Sequence, residues 1–430
     1  MRAALLLICI LQSAICNSAD WPQWRGPGGR GVSDEKDLPL EWSETKNIAW
    51  KTPIPGRGHS SPVVIGNRVF LTSDVEGDPV PGAKAVIHIR YGGEWQHPDS
   101  MGADRKHILK VFCLDAISGK ILWERTAYEG PAYDNRHRKS TYASPTPATD
   151  GRAVYAYFGS EGLYAYDLEG KQLWKASLGQ LKSRGLSVGA SPILHENLII
   201  LQRDEDDGEG SAMVAVDKRT GQEVWRTSRR VQQSYGTPVL VRGGGRLELV
   251  AGGNEATIAY DPASGKELWK GEGVRSNAVP SPVAGTGLVY SGAGYPTKRL
   301  LAFRVGGAGE LAWKYEKGTA YVVSPLVYGD YVYVTTDSGI LTCLDAKTGE
   351  VKYDNGRIPV PAKFTASPVA AGGAILMTSE DGDTFVIQAG PEHVVLRTNS
   401  LDEAVFASPA VSGGRIFIRG ASHLYAIRKN

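Results

Sequence analysis

The sequence predicts an all-β chain: an eight-bladed β-propeller of four-stranded antiparallel blades, with the last blade closed by a strand from the N-terminal side. Three observations predict it. A Ser-Pro or Thr-Pro pair recurs at Ser61, Ser144, Ser191, Thr237, Ser281, Ser324, Ser367 and Ser408, and after the first interval the spacing stays between 41 and 47 residues. An Asp-x-x-(Ser/Thr)-Gly turn followed by an apolar strand recurs in phase with it. DAISGKILW ends at Trp123, DKRTGQEVW at Trp225, DPASGKELW at Trp269 and DAKTGEVKY at Tyr353, and altered versions run to Trp174, Trp313 and Leu396. Finally, the eighth unit stops after Leu424-Tyr425-Ala426-Ile427 without a fourth strand, while Asn47-Ile48-Ala49-Trp50-Lys51 matches the fourth strand Glu267-Leu268-Trp269-Lys270.

The clearest unit is 324–353. Gly329-Asp330 separates two β-branched and aromatic runs, Asp337-Ser338-Gly339 leads into a third, and the Asp345–Gly349 turn leads into a fourth. Such runs bounded by Gly and Asp mark hairpin-linked strands. A sheet of this size cannot bury both faces alone, and a period of roughly 40–45 residues made only of strands and turns is that of a propeller blade. A ring of such sheets leaves open edges unless the two chain ends pair. The strand at 47–52 is therefore expected to complete the last blade.

A chain of 430 residues can bury a large core, and its 52 Gly and 24 Pro suit many short turns. The net charge of +2 argues against nucleic-acid binding driven by bulk charge. Residues 1–19, with Arg2 ahead of the apolar run Ala3–Leu11, read as a secretory signal peptide too short to span a membrane. The mature protein is expected in the periplasm or secreted, as a monomer with no transmembrane span. Cys16 is not read as a lipid-anchor site, because Ile15 precedes it where a small residue is wanted. Cys9 and Cys16 would leave with the signal. Cys113 and Cys343 fall at the place that Ala165, Ala215, Ala259, Ala302, Val386 and Ala426 hold in the other units, so each reads as a small core residue. Their blades are not neighbours, and no disulfide is expected.

The segment 20–46, with Trp21, Trp24 and Trp42, reads as an extended lead-in packed across one end of the ring. The propeller is assigned to 47–430, with one large insertion at 74–107 between the second and third strands of blade one. This insertion holds His88, His97 and His107 among several carboxylates, but their spacing matches no metal-ligand pattern. The acidic tip at Arg203–Gly210 places Gly208 one position early for a calcium loop and reads as a solvated turn. No metal site and no catalytic residue is assigned.

Propeller topology puts the inter-blade loops and the loops between second and third strands on one face. The inter-blade loops carry an excess of basic residues, among them Arg136, Arg138, Arg184, Arg230 and Arg275, while the hairpin tips are mostly acidic. A basic inner ring would concentrate a small anionic ligand at the channel mouth. His59, Tyr142, Tyr235, Asn277 and Tyr321 stand just ahead of first strands and complete the candidate ligand site.

The turn-plus-Trp unit, the Ser-Pro strand opening, WPQWRGP and NIAWKTPIPGRGHSSPVV resemble the PQQ-binding-like, quinoprotein-type propeller family, in particular its exported BamB-like subgroup. The resemblance covers about 47–430. It implies either an envelope scaffold with a protein partner or a PQQ-dependent alcohol dehydrogenase, the latter with a vicinal cysteine pair, a Trp platform, a calcium ion and an Asp base. This sequence has no adjacent cysteines and no placeable calcium set. The function expected is a non-catalytic binding or scaffold protein of the bacterial cell envelope. The alternative is a quinoprotein oxidoreductase using PQQ.

Overall fold

A computed structural model describes residues 20–90, 92–232 and 234–429. The signal segment, Cys9 and Cys16 lie outside the described residues. Eight four-stranded antiparallel sheets form the body, seven of them built of strands in sequence order and the eighth completed by a strand from the N-terminal side. Blade one comprises Val63–Ile65, Arg68–Pro79, Arg105–Asp115 and Ile121–Pro131. Blades two to seven follow in chain order between Ala148 and Ser400. Blade eight is Ala410–Ser412, Arg415–Arg419 and His423–Arg428, and its fourth strand is Ile48–Pro53. Trp50 stands opposite Ala426 and Thr52 opposite Leu424. The ring is thus closed by the N-terminal strand.

The repeat has a physical basis in each turn. Asp115 Oδ1 accepts hydrogen bonds from the amides of Ile117 and Ser118 and from the Ser118 hydroxyl, and Asp217, Asp261 and Asp345 do the same in their blades. The turn ends on a glycine at positive φ, such as Gly119 at 72° and Gly349 at 75°, a conformation only glycine adopts without cost. The Trp of the preceding blade lies on this glycine. A β-carbon on Gly221 would fall 2.6 Å from the Trp174 ring, and one on Gly349 would fall 2.7 Å from Trp313. The same indoles donate to Lys218 O at 2.9 Å and Ala346 O at 3.1 Å. One residue pair therefore sets the strand register within a blade and the docking between blades.

The hydrophobic cores lie between blades. Phe70, Val111 and Cys113 of blade one pack with Val154, Tyr164 and Tyr166 of blade two, and the pattern repeats around the ring. Cys113 pairs with Trp123 in register as Ala165 does with Trp174 and Ala215 with Trp225. Both cysteines are buried and free.

The Ser/Thr-Pro markers form a second, inner set of links. Ser61 N donates to Thr146 Oγ1, Thr146 N to Ser191 Oγ, and so on through Thr237, Ser281, Ser324 and Ser367 to Ser408, each bond between 2.8 and 3.0 Å.

Three details differ from the sequence reading. Blade two uses Thr146, not Ser144, as its marker, because the strand opens only at Ala148 and Ser144 instead caps the Thr141 turn. In blade seven the residue opposite Val386 is Arg397, one beyond Leu396, because the fourth strand bulges after it as in the other blades. The insertion in blade one does not begin as a loop: its flanking strands run on in register from Asp74 opposite Leu109 to Glu76 opposite His107.

The lead-in crosses the ring at the end carrying the turns between first and second strands. Trp21 pairs with Val64 of blade one, Ser33 N donates to Ala370 O of blade seven, and Glu35 accepts from the amides of Gly413 and Gly414 in blade eight. Between these anchors it dips into the channel. Trp24 Nε1 donates to Ser281 Oγ at 3.1 Å. The guanidinium of Arg25, fully buried, donates to the carbonyls of Pro325 at 2.7 Å and Pro368 at 3.3 Å. The channel floor is this segment.

Candidate functional site

The opposite end of the ring carries the inter-blade loops, and the blade-one insertion is folded onto them. A hairpin of His88–Arg90 and Gly93–Trp95 stands above, and Ser100–Met101 pairs with Arg136–His137 from the loop after blade one. Period-2 alternation sets the hairpin's faces. His88 points inward and is buried, while Ile87 and Ile89 are 61% and 67% exposed.

His88 is the clamp. Its Nε2 lies 3.0 Å from Asp134 Oδ1 in the loop between blades one and two, and its Nδ1 lies 3.5 Å from Asp206 Oδ2 at the acidic tip of blade three. Burial opposes protonation here, yet the two carboxylates outweigh it and raise His88 to about 9. Asp134 Oδ2 accepts in turn from the amide of Ser183 at 2.9 Å, the Ser183 hydroxyl at 2.7 Å and the Gly185 amide at 3.2 Å. Arg184 pairs with Asp206 through Nε and donates to its carbonyl at 2.9 Å. Behind the hairpin, His107 Nδ1 is 2.8 Å from Asp74 Oδ1, and its ring meets Tyr142 edge-on at 4.5 Å. Tyr142 donates to Asp134 O at 2.7 Å. Arg136, buried, pairs with Glu76 at 2.5 Å. A cavity of about 620 Å³ opens between the hairpin and these loops, walled by Ile87, Trp95, Met101 and Arg105 among others.

The candidate ligand residues divide accordingly. Arg136, Tyr142 and Arg184 join the network under the insertion. Arg138 is exposed and pairs with Asp99 at 2.8 Å, and Arg275 is exposed and pairs with Glu272 at 3.1 Å. Arg230 is exposed on the rim. Four of the five arginines expected in the ligand site thus each have a carboxylate of their own. His59, Tyr235, Asn277 and Tyr321 are half-buried. His59 stacks on Phe406 at 4.8 Å, and Asn277 Nδ2 donates to Tyr321 OH at 3.4 Å. The loop after blade one also reaches across the mouth to blade seven, where Lys139 meets Glu380 at 3.2 Å. His88 and Asp206 escaped selection as a pair because only the folded insertion brings them together. The length of the insertion was the available signal.

The quinone cofactor that the resemblance implies can be tested against the donors present. Cys113 and Cys343 sit in the cores of blades one and six, and burial pushes both thiols up to about 12. Among the described residues no three His, Cys, Asp or Glu side chains are grouped as metal ligands. Cys113 and Cys343 lie in different blades, so these two residues do not form the vicinal pair that the resemblance implies for a quinoprotein alcohol dehydrogenase.

A family model described as outer membrane protein assembly factor BamB matches residues 108–241. Outer membrane protein assembly factor BamB of Yersinia pestis is 23% identical over 340 residues, which is 68% of this chain and 82% of that protein. BamB of Marinobacter adhaerens is 26% identical over 213 residues, covering 49% of this chain and 40% of the relative. Among solved structures, BamB from Moraxella catarrhalis superposes with a TM-score of 0.56 at 16% identity, covering 83% of this chain and 97% of that one. Quinohemoprotein alcohol dehydrogenase from Comamonas testosteroni superposes at 0.63 with 11% identity, covering 97% and 82%. At such identities these two superpositions speak for the fold alone. The repeat, the ring of eight four-stranded blades and the matched segment together make the chain similar to the PQQ-like, BamB-like β-propellers.

Proposed function

We propose that this protein is a non-catalytic scaffold of the bacterial cell envelope that holds a protein partner on its insertion face. The observation that carries the reading is the clamped hairpin. A buried ion pair fixes the insertion to three loops, and the outcome is two isoleucines held outward beside a cavity. Exposed aliphatic side chains on a rigid support are the usual mark of a protein interface. The relatives' printed role in outer membrane protein assembly supports the envelope setting.

The experiment is capture of envelope proteins by site-specific crosslinking from position 94, which stands opposite Ile89 in the hairpin, in the otherwise unchanged protein and in an Ile87→Asp, Ile89→Asp variant. The reading expects a discrete crosslinked partner that the variant loses, with the variant's unfolding midpoint unchanged. The oxidoreductase reading is tested beside it by adding PQQ, calcium ions and ethanol and following reduction of a redox dye. Dye reduction that requires all three would overturn the scaffold reading.

A further inference from the structure

The ring of marker hydroxyls has seven links for eight blades. The link absent among the described residues is the one between Ser408 of blade eight and Ser61 of blade one, and the Ser61 hydroxyl is buried without a partner. The same joint holds a second unsatisfied group. Arg419 ends the second strand of blade eight, is 1% exposed, and among the described residues its side chain makes one hydrogen bond, from Nε to Gly420 O at 3.1 Å. Both of its Nη atoms are buried and have no acceptor. No carboxylate lies within ion-pair distance among the described residues. Glu403, which favours its charge from farther off, already accepts from the amides of Ser422 and His423, from His423 Nδ1 and from the Tyr425 hydroxyl.

A buried guanidinium with two idle donor groups is costly unless something accepts from them. The neighbouring His59 brings no negative charge to it. Arg136 leaves its Nε buried and unpartnered. Burial first, then Arg57, Arg419 and Arg136, hold His59 neutral and far below its ordinary value. No acid among these neighbours is left to balance Arg419.

We infer that the joint between blades eight and one binds a small planar oxyanion of the carboxylate type, held end-on by the two Nη atoms of Arg419. The guanidinium fork matches the two oxygens of a carboxylate, and a single bound ion satisfies both donors at once. The Ser61 hydroxyl, just ahead of the first strand of blade one, is the other buried group left unpartnered where blades eight and one meet. Because this joint is the one where the hydroxyl ring is broken and the two ends of the chain meet, the bound ion would strengthen the closing contact of the ring. This goes beyond the scaffold reading and does not depend on it.

The test uses formate as the probe, with chloride making up constant ionic strength. Wild-type protein is expected to show an unfolding midpoint that rises linearly with the logarithm of formate concentration above its dissociation constant. Arg419→Met, which keeps the aliphatic volume, is expected to lose the slope. Arg419→Lys, which keeps the charge but not the fork, is expected to weaken binding about tenfold or more. Binding is also read directly on wild-type protein as saturable broadening of the carbon-13 formate resonance, so the outcome stands even where a variant fails to fold. A wild-type slope no steeper than in chloride, an equal slope in Arg419→Met, or no saturable broadening would overturn the inference.

Discussion

The indole of Trp50 lies on Gly119: it donates to Ala116 O at 3.1 Å, and a β-carbon on the glycine would come within 2.5 Å of the ring. Trp50 belongs to the closing strand and Gly119 to blade one, so this contact joins the first and last sheets of the ring. Trp50→Ala should cost about 3–5 kcal/mol, the range for removing a buried aromatic. Gly119→Ala should also destabilise, through both the clash and a φ of 72°. Urea unfolding midpoints measure both, and an unchanged midpoint for Trp50→Ala would show that closure rests on other contacts.

The cysteines give a second prediction. Ala fills the equivalent place in most blades, so Cys113→Ala and Cys343→Ala should each cost on the order of 1 kcal/mol. Unfolded protein lacking residues 1–19 should titrate two thiols without reductant. Their low reactivity when folded follows from burial, so alkylation in the native state should be slow at neutral pH.

His88 sets a pH window for the insertion. Its folded value of about 9 lies above the ordinary 6.5, so its contribution is complete below pH 6.5 and is lost as pH rises through about 9. Asp206 is held below the ordinary 3.8, in spite of burial, by His88 and Arg184, so its contribution is lost only in strong acid. Hydrogen exchange of residues 86–95, corrected for intrinsic rates, should be slow near neutrality and quicken above pH 9. His88→Gln should exchange fast throughout. Exchange that is indifferent to both would remove the clamp.

Arg25 is expected to tolerate no replacement well. Its fork serves two proline carbonyls on neighbouring blades, a geometry that a lysine ammonium cannot reproduce. Charge-assisted bonds of this kind contribute roughly 1.5–3 kcal/mol each. Arg25→Lys should lower the thermal midpoint, and limited proteolysis should then cut within 20–46 first.

The blades were legible because their signals are local. Proline after a hydroxyl residue, aspartate four before glycine and tryptophan at the strand's end each act within a few residues. Even the closing strand could be read, since Trp50 repeats the pattern of Trp269. What stayed hidden depends on side chains from distant segments. Ser144-Pro145-Thr146-Pro147 offers two candidate markers, and only the packing of the preceding loop selects Thr146. Arg138, Arg184 and Arg275 looked free for a ligand because their partners come from an insertion, a neighbouring blade's tip and the adjacent strand end. Arg419 drew no notice, since an arginine closing a strand reads as a solvated end until its burial is seen.

The pairing of Ile48–Pro53 with His423–Arg428 also fixes an order in time. A strand made near the start of synthesis must wait, unpaired, for the final residues of the chain. Seven sheets can assemble as they emerge, yet the ring remains an open arc until its last strand appears. A chain cut short between residues 401 and 423 keeps seven of its eight sheets and still cannot shut. Closure of the ring is thereby coupled to the late strand His423–Arg428, and chains that lack this strand carry an exposed edge by which they differ from closed ones.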